Sequence, residues 1–235
     1  MARFFELRFG YALHCAGIAP RYEVPGEAKS TLDFGFAAGG RDWLVELMRL
    51  EETQAVKAAT VTAVDANGIQ WREMALSTLA EDRKQSTEGG ALKAVQRICQ
   101  KCERDGRPHK FPAPAGALHI ILVDFRTFMH GGDVHDRIHV ALGGEFVSDE
   151  FCRLYWEGTL ISGVFSERTT VRGAPEVRTR VHFLGFIDED TYERGAIAAA
   201  TQLIANPYLF GSATEARDAI AAWPLQTARL LNGCD

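Results

Sequence analysis

The chain has 235 residues, of which 46% are hydrophobic and 24% charged, enough apolar material for a packed core and too much for wholesale disorder. The net charge of −5 argues against strong non-specific nucleic-acid binding, although it leaves room for a local basic face. The N-terminal residues lack a signal-like apolar core, no apolar run approaches a membrane span, and five scattered cysteines fit a reducing compartment. We therefore expect one cytoplasmic domain over residues 1–235 that stays out of the membrane.

A helix is predicted over residues 4–17. Phe5, Phe9, Leu13 and Ala16 fall at positions i, i+4, i+8 and i+11 and form one apolar stripe. Glu6 falls on a different flank of this helix. Burial statistics alone favour a solvated glutamate at that position.

Two short apolar strands follow, over residues 32–36 and 43–49, and a Gly-Gly-Arg-Asp turn joins them. Asp33 lies in the first strand and Glu46 in the second. A carboxylate inside an apolar run is costly unless it is paired or holds a metal. On adjacent antiparallel strands the two carboxylates can converge, and oxygen ligands of this kind suit Mg²⁺ or Mn²⁺.

At these positions the chain resembles the PD-(D/E)XK nuclease superfamily, which has the restriction-endonuclease-like fold. That pattern places an acidic residue on one strand, then an acidic residue, any residue and a lysine on the next. Asp33 and Glu46 match the acidic positions, whereas Met48 stands where the family has its lysine. The resemblance implies that Asp33 and Glu46 hold the metal, that Glu6 assists from the first helix, and that the lysine positions the attacking water.

The next elements are a hairpin inserted at about 57–76, a helix over 86–104 that begins at Ser86, and an apolar strand over 118–124. An ordinary surface hairpin is the simpler interpretation of the insertion. The helix makes a crossover between the Glu46 strand and the 118–124 strand. This order predicts an α/β three-layer sandwich with a central mixed sheet flanked by helices, in agreement with the superfamily core.

Because Met48 stands at the position of the family's lysine, catalysis would need a basic group from another part of the chain. Lys93 and Lys101 both lie on the 86–104 helix, and we select Lys101 as the candidate catalytic lysine. It opens a basic run that either contacts phosphates or is a solvated helix end, the simpler interpretation. The run consists of Lys101, Arg104, Arg107, His109 and Lys110.

Two other clusters compete as metal sites. His130, His135 and His139 stand in an acidic loop and would suit zinc, but their spacing matches no zinc-hydrolase pattern. Residues 136–140 alternate like a strand, so a His-rich loop near the cleft is the default interpretation. The Cys99-x-x-Cys102 pair lies within a helix without a second pair, which favours core cysteines.

The region 157–235 is predicted to extend the domain at its C-terminal side. The predicted elements from residue 146 onward are a helix over 146–156, a strand over 159–165, an arginine-rich loop over 166–178, a strand over 180–187, a helix over 188–205 and a helix over 213–223.

The sequence has no phosphate-binding loop, dinucleotide fingerprint or nucleophile elbow, and these absences argue against a kinase, a dehydrogenase or a serine hydrolase. The sequence therefore predicts a Mg²⁺- or Mn²⁺-dependent nuclease-like protein that cleaves or binds nucleic acid through Asp33 and Glu46, with Glu6 and Lys101. The alternative is a non-catalytic module of the same fold that contacts nucleic acid or a protein partner. Met48 and the acidic net charge favour that alternative. Zinc binding is a third hypothesis, and homo-oligomerisation is left open.

Overall fold

A computed structural model describes residues 2–74, 86–125, 133–144, 149–156, 158–187, 189, 195–197, 200–225 and 229–232. The architecture is α/β, with a central mixed sheet that has a hydrophobic core on each face, as the sequence predicts. This arrangement is compatible with a three-layer sandwich. None of the described helices is both long enough and apolar enough to cross a bilayer.

The central sheet has six strands and a two-residue seventh at one edge. They are β1 (Arg21–Pro25), β2 (Thr31–Ala38), β3 (Arg41–Arg49), β8 (Ala117–Asp124), β9 (Phe183–Ile187), β10 (Thr201–Ala205) and β11 (Arg229–Leu230), in that spatial order. The first three strands pair antiparallel, whereas β3–β8 and β8–β9 are parallel. Two separate hairpins consist of β4 (Thr60–Val64) with β5 (Gln70–Met74) and β6 (Glu103–Arg104) with β7 (Arg107–Pro108).

Seven helices are described. They are α1 (Ala2–Cys15), α2 (Gln54–Ala58), α3 (Thr87–Gln100), α4 (Val134–Leu142), α5 (Asp149–Tyr155), α6 (Ala174–Arg180) and α7 (Ala213–Ile220). The apolar sides of α1 and α7 pack in the same core as Trp43 and Val45 of β3. The apolar sides of α3, α4 and α6 pack in the other core, with Met48. Successive side chains of β3 thus alternate between the two cores, as the pleat of a strand requires.

Several local predictions are confirmed. The first helix has the predicted apolar stripe at Phe5, Phe9 and Leu13, which are buried, whereas Ala16 is exposed because the helix ends at Cys15. The Ser86 hydroxyl accepts a hydrogen bond from the Gly89 N–H at 3.0 Å and caps α3. The strand β8 is buried along almost its whole length, which its continuous apolar sequence requires.

The strand-like interpretation of residues 136–140 is wrong, because this segment lies in α4. The Asp133 carboxylate accepts from the Asp136 N–H, and the Asp136 carboxylate accepts from the Asp133 N–H, both at 2.9 Å. This reciprocal capping box fixes the first turn of the helix. A five-residue alternation is too short to outweigh such a start signal. His130 lies outside the described residues.

Four predictions in other segments are also corrected. The loop expected over 166–178 ends in the helix α6 (Ala174–Arg180), because Pro175 stands in the first turn of that helix, where proline is tolerated. The helix that begins at Ser86 ends at Gln100, and the β6–β7 hairpin follows where we expected helix to Arg104. Residues 159–165 form no strand, since the N–H groups of Val164 and Phe165 bond to carbonyls of α4 instead. Residues 201–205, expected in a helix, form the buried strand β10. Buried strands and buried helix segments share the same apolar composition, so only pairing with β9 decides this case.

Candidate functional site

The two predicted carboxylates come together on adjacent strands. The β2–β3 pairing ends at Phe34 with Val45, and Asp33 and Glu46 are the next residue on each strand, close enough for the charge of Glu46 to act on Asp33. The Oδ2 atom of Asp33 accepts a hydrogen bond from the Leu47 N–H at 2.7 Å. A side-chain carboxylate, instead of a backbone carbonyl, thus accepts the hydrogen bond of this strand amide. The close spacing of the two acids therefore follows from the strand register.

Glu46 is buried, with 1% of its surface exposed, and two lysines neutralise it. The ammonium groups of Lys101 and Lys110 lie 2.9 and 3.0 Å from the same oxygen, Oε1. The other oxygen, Oε2, is buried and accepts no hydrogen bond from any described residue. One carboxylate oxygen thus receives two cations while the second has no hydrogen-bond partner among the described residues, although buried polar atoms are normally satisfied.

The two lysines reach Glu46 from different parts of the chain. Lys101 is the C-cap residue of α3, where the helix dipole favours a cation. Lys110 follows β7 and has a positive φ of 65°. Its backbone N–H donates to the Ser30 hydroxyl at 3.0 Å, its carbonyl accepts from the Glu27 N–H at 2.9 Å, and its ammonium group donates to the Thr31 carbonyl at 2.8 Å. The turn before β2 therefore holds Lys110 in place.

Burial raises the pKa of Asp33 to about 6, and the nearby charge of Glu46 acts in the same direction. The Leu47 N–H and the two lysines oppose that shift without cancelling it. Asp33 therefore changes its protonation state close to neutral pH. A strongly shifted carboxyl group beside a specific charged partner is typical of functional sites, although ion-pair networks produce such shifts too.

Met48 lies on the same strand two residues after Glu46 and packs in the core beneath α3. It therefore brings no charge to the carboxylates. The sequence directed attention to Lys101, and the structure does bring Lys101 to Glu46. The sequence included Lys110 only as a member of the basic run. Its long-range pairing with the 27–31 turn has no local signal that would have singled it out.

Glu6 contacts a different partner. The Tyr22 hydroxyl donates to Glu6 Oε2 at 2.7 Å, and no hydrogen bond or ion pair among the described residues joins Glu6 to Asp33 or Glu46. The hydrogen bond to Glu6, with smaller contributions from burial and from the charges of Glu6, Glu23 and Asp33, raises the pKa of Tyr22 to about 12. Tyr22 thus lies within electrostatic range of both Glu6 and Asp33.

The donor set at Asp33 and Glu46 suits a hard divalent cation. Mg²⁺ keeps several water ligands and is often held by one or two carboxylates, so Asp33 and the unpartnered Oε2 of Glu46 fit it. Within the described part of the chain, no group of three or more His, Cys, Asp or Glu side chains is arranged to hold a metal. The Cys99 and Cys102 thiols are buried in the core, as predicted.

No protein-family model matches the chain, and neither a curated protein nor a solved structure matches it.

Proposed function

We propose that the protein is a metal-dependent phosphodiesterase that acts on nucleic acid and has a restriction-endonuclease-like fold. The observation that carries the proposal is the position of Lys101, whose ammonium group lies 2.9 Å from a buried Glu46 carboxylate opposite Asp33. Two carboxylates and a cation are the groups that such chemistry needs in one place. The order of α1, the β1–β3 meander, α3 and the parallel strand β8 supports the fold assignment.

In this proposal Asp33 and Oε2 of Glu46 hold Mg²⁺ or Mn²⁺. The bound ion would neutralise charge on the scissile phosphate and lower the pKa of an attacking water. Asp33 must be ionised to bind it, and its pKa of about 6 means that protons compete with the metal in mildly acidic solution. Metal affinity should therefore rise as the pH increases through about 6.

The two lysines have different surroundings and so different assigned roles. The side chain of Lys101 is 36% exposed, so its ammonium group faces both Glu46 and solvent, where a phosphate or water would stand. We assign Lys101 to stabilising the charge that develops on the phosphate. Lys110 is 19% exposed and also donates to the Thr31 carbonyl, so it holds the Glu46 carboxylate in place. Glu6 contacts Tyr22, so any assistance from Glu6 acts through that residue.

The alternative is a non-catalytic module of the same fold that binds nucleic acid or a protein partner. Two observations favour it: both lysines already bind Glu46 Oε1, and the strand position of the family lysine is a buried Met48. In that case the lysines neutralise a buried carboxylate and do no chemistry.

Titration calorimetry with Mn²⁺ and Mg²⁺, together with a plasmid-nicking assay, distinguishes the two functions. The informative variants are Asp33→Asn and Lys101→Met, and Asp42→Asn is a matched control because Asp42 is an exposed acid on the same strand as Glu46. We expect Asp33→Asn to abolish metal binding and nicking, and Asp42→Asn to change neither. Lys101→Met should keep metal binding and lose nicking.

Two results would contradict the catalytic proposal. Absence of metal binding by the wild-type protein would make Asp33 and Glu46 structural carboxylates. Metal binding without cleavage of any nucleic acid would favour the binding module.

A further inference from the structure

An open cleft of about 570 Å³ adjoins the carboxylate pair. The turn before β2 forms one wall of the cleft, and the β6–β7 hairpin with the segment after it forms the other. Its charged and titratable lining residues are Lys29, Arg104, Asp105, Arg107, His109 and Lys110. Lys110 lines the cleft and also contacts the carboxylate pair, since its ammonium group lies 3.0 Å from Glu46 Oε1.

The cleft concentrates positive charge in a chain whose net charge is −5. Four of its lining side chains are cationic and one, Asp105, is acidic. Asp105 Oδ1 lies 3.9 Å from the Arg172 guanidinium, so a further cation partly balances that acid. Burial, together with the charges of Arg104 and Lys110, lowers the pKa of His109.

The cationic residues of the cleft other than Lys110 have no anionic partner within the described part of the chain. Lys29, Arg104 and Arg107 make no ion pair there, and Arg104 and Arg107 are exposed. Exposed arginines without counter-charges are typical of surfaces that receive an external anion. A guanidinium group also matches the geometry of phosphate oxygens.

The backbone of the cleft is unusual as well. Only five described residues other than glycine have a positive φ, and four of them line this cleft: Ala28 (51°), Lys29 (61°), Asp105 (52°) and Lys110 (65°). Each such residue costs free energy and persists only when its surroundings fix it. The hydrogen bonds between Lys110 and the 27–31 turn provide that constraint.

We propose that this cleft binds the phosphate backbone of a nucleic-acid strand, at phosphates next to the one that reaches Glu46. Among the described residues no Phe, Tyr or Trp side chain lines the cleft, and His109 is its single ring, so the cleft offers no series of aromatic platforms for successive bases. Contacts to phosphates position a strand without reading its bases, so binding is independent of sequence. That the bound nucleic acid is also the substrate rests on the proposed function. Binding of its phosphate backbone does not depend on that function.

Fluorescence anisotropy with labelled duplexes of two unrelated sequences, in EDTA and from about 50 to 200 mM salt, tests this proposal. The cleft variant is Arg104→Gln/Arg107→Gln, and the control is Arg3→Gln/Arg217→Gln. The control arginines are exposed on α1 and α7, which cover the opposite face of the sheet. We expect the cleft variant to lose roughly tenfold or more in affinity for both duplexes and to reduce the salt slope by about one to two. The control should change affinity less than about threefold, as expected for arginines that make no phosphate contact.

Rescue by Arg104→Lys/Arg107→Lys would support a role of positive charge, and thermal melting of each variant checks that it is folded. Equal losses in the cleft and control variants, a loss confined to one duplex, or no binding by the wild type would each overturn the proposal. Full competition by inorganic phosphate at equal phosphate concentration would also overturn it, in favour of a small-anion site.

The same assay separates this proposal from the proposed function. EDTA removes any metal, so Asp33→Asn/Glu46→Gln should bind duplex at least as tightly as the wild type. Cleft-dependent binding by a protein that neither binds metal nor nicks DNA would refute the chemistry alone. Metal-dependent nicking that is unaffected by the cleft variant would refute the cleft alone.

Discussion

Lys101 Nζ lies 2.9 Å from Glu46 Oε1, although 55 positions separate the two residues in the chain. The cation enters from the end of α3, whereas the resembled pattern has its lysine on the same strand as the acid. Met48 occupies the strand position of that lysine and packs in the core, and the cations beside Glu46 come from other segments of the chain.

The two lysines should contribute to stability together. Removing one leaves Glu46 paired with the other, so Lys101→Met or Lys110→Met alone should cost about 1 kcal/mol or less in the free energy of unfolding. The double variant leaves a buried charge uncompensated and should cost about 3 kcal/mol or more. Urea unfolding measures both, and the same changes in a Glu46→Gln background are the control. Simple additivity of the single variants would contradict a shared partner.

Asp33→Asn should stabilise the protein in a pH-dependent way. The pKa of Asp33 is raised from about 4 to about 6 on folding, so the folded state binds the extra proton between these values. The stability from this group is fully present below pH 4 and is lost as the pH rises through 6. Asp33→Asn keeps an acceptor for the Leu47 N–H and removes the charge. We expect it to gain about 1–2 kcal/mol at pH 7.5, allowing for solvent screening of a half-buried group.

Unfolding of the wild type and of Asp33→Asn in denaturant at pH 4, 6 and 7.5 would reveal this dependence. The gain should vanish towards pH 4, where both proteins are neutral at this position. Asp42→Asn, at an exposed site of the neighbouring strand, should show no comparable trend. A gain that is constant across the pH range would show that the effect does not come from the charge of Asp33.

The main effect of Glu6→Gln should be a lower pKa of the Tyr22 hydroxyl. The hydrogen bond to Glu6 is the largest cause of the raised pKa of Tyr22, which is about 12. Without the negative charge of Glu6 that pKa should fall towards 10, its ordinary value. Ultraviolet difference titration of the wild type and Glu6→Gln, with Tyr22→Phe identifying the signal, measures the shift. We expect Mn²⁺ affinity to stay unchanged, and a large loss of it would place Glu6 among the metal ligands.

The turn between β2 and β3 offers a matched pair of glycines. Both have a positive φ, 58° at Gly39 and 73° at Gly40, where an alanine is strained by about 1 kcal/mol. A Cβ at Gly39 would stand 2.5 Å from the Cβ of Ala222, whereas a Cβ at Gly40 meets no described residue within 4 Å. Gly39→Ala should therefore cost about 1–3 kcal/mol more than Gly40→Ala in urea unfolding. Equal costs would mean that residues after α7 do not pack against this turn.

The local parts of the fold were predictable because their causes are local. The apolar stripe of α1, the Ser86 cap of α3 and the buried strand β8 depend on residues within a few positions of one another. The errors at α4 and β10 arose where a short apolar pattern was compatible with two structures. The Asp133 cap decided the first case, and pairing with β9 decided the second.

By itself, the sequence determined that two carboxylates stand in neighbouring apolar strands, because a tight turn between them sets the register of Asp33 and Glu46. Only the tertiary structure decided which charges meet them. Lys101 and Lys110 reach Glu46 because α3 packs on that face of the sheet and the 27–31 turn holds the segment after β7. Glu6 instead meets Tyr22. Contacts between distant segments depend on how whole elements pack, and the pattern of any single segment does not contain that information.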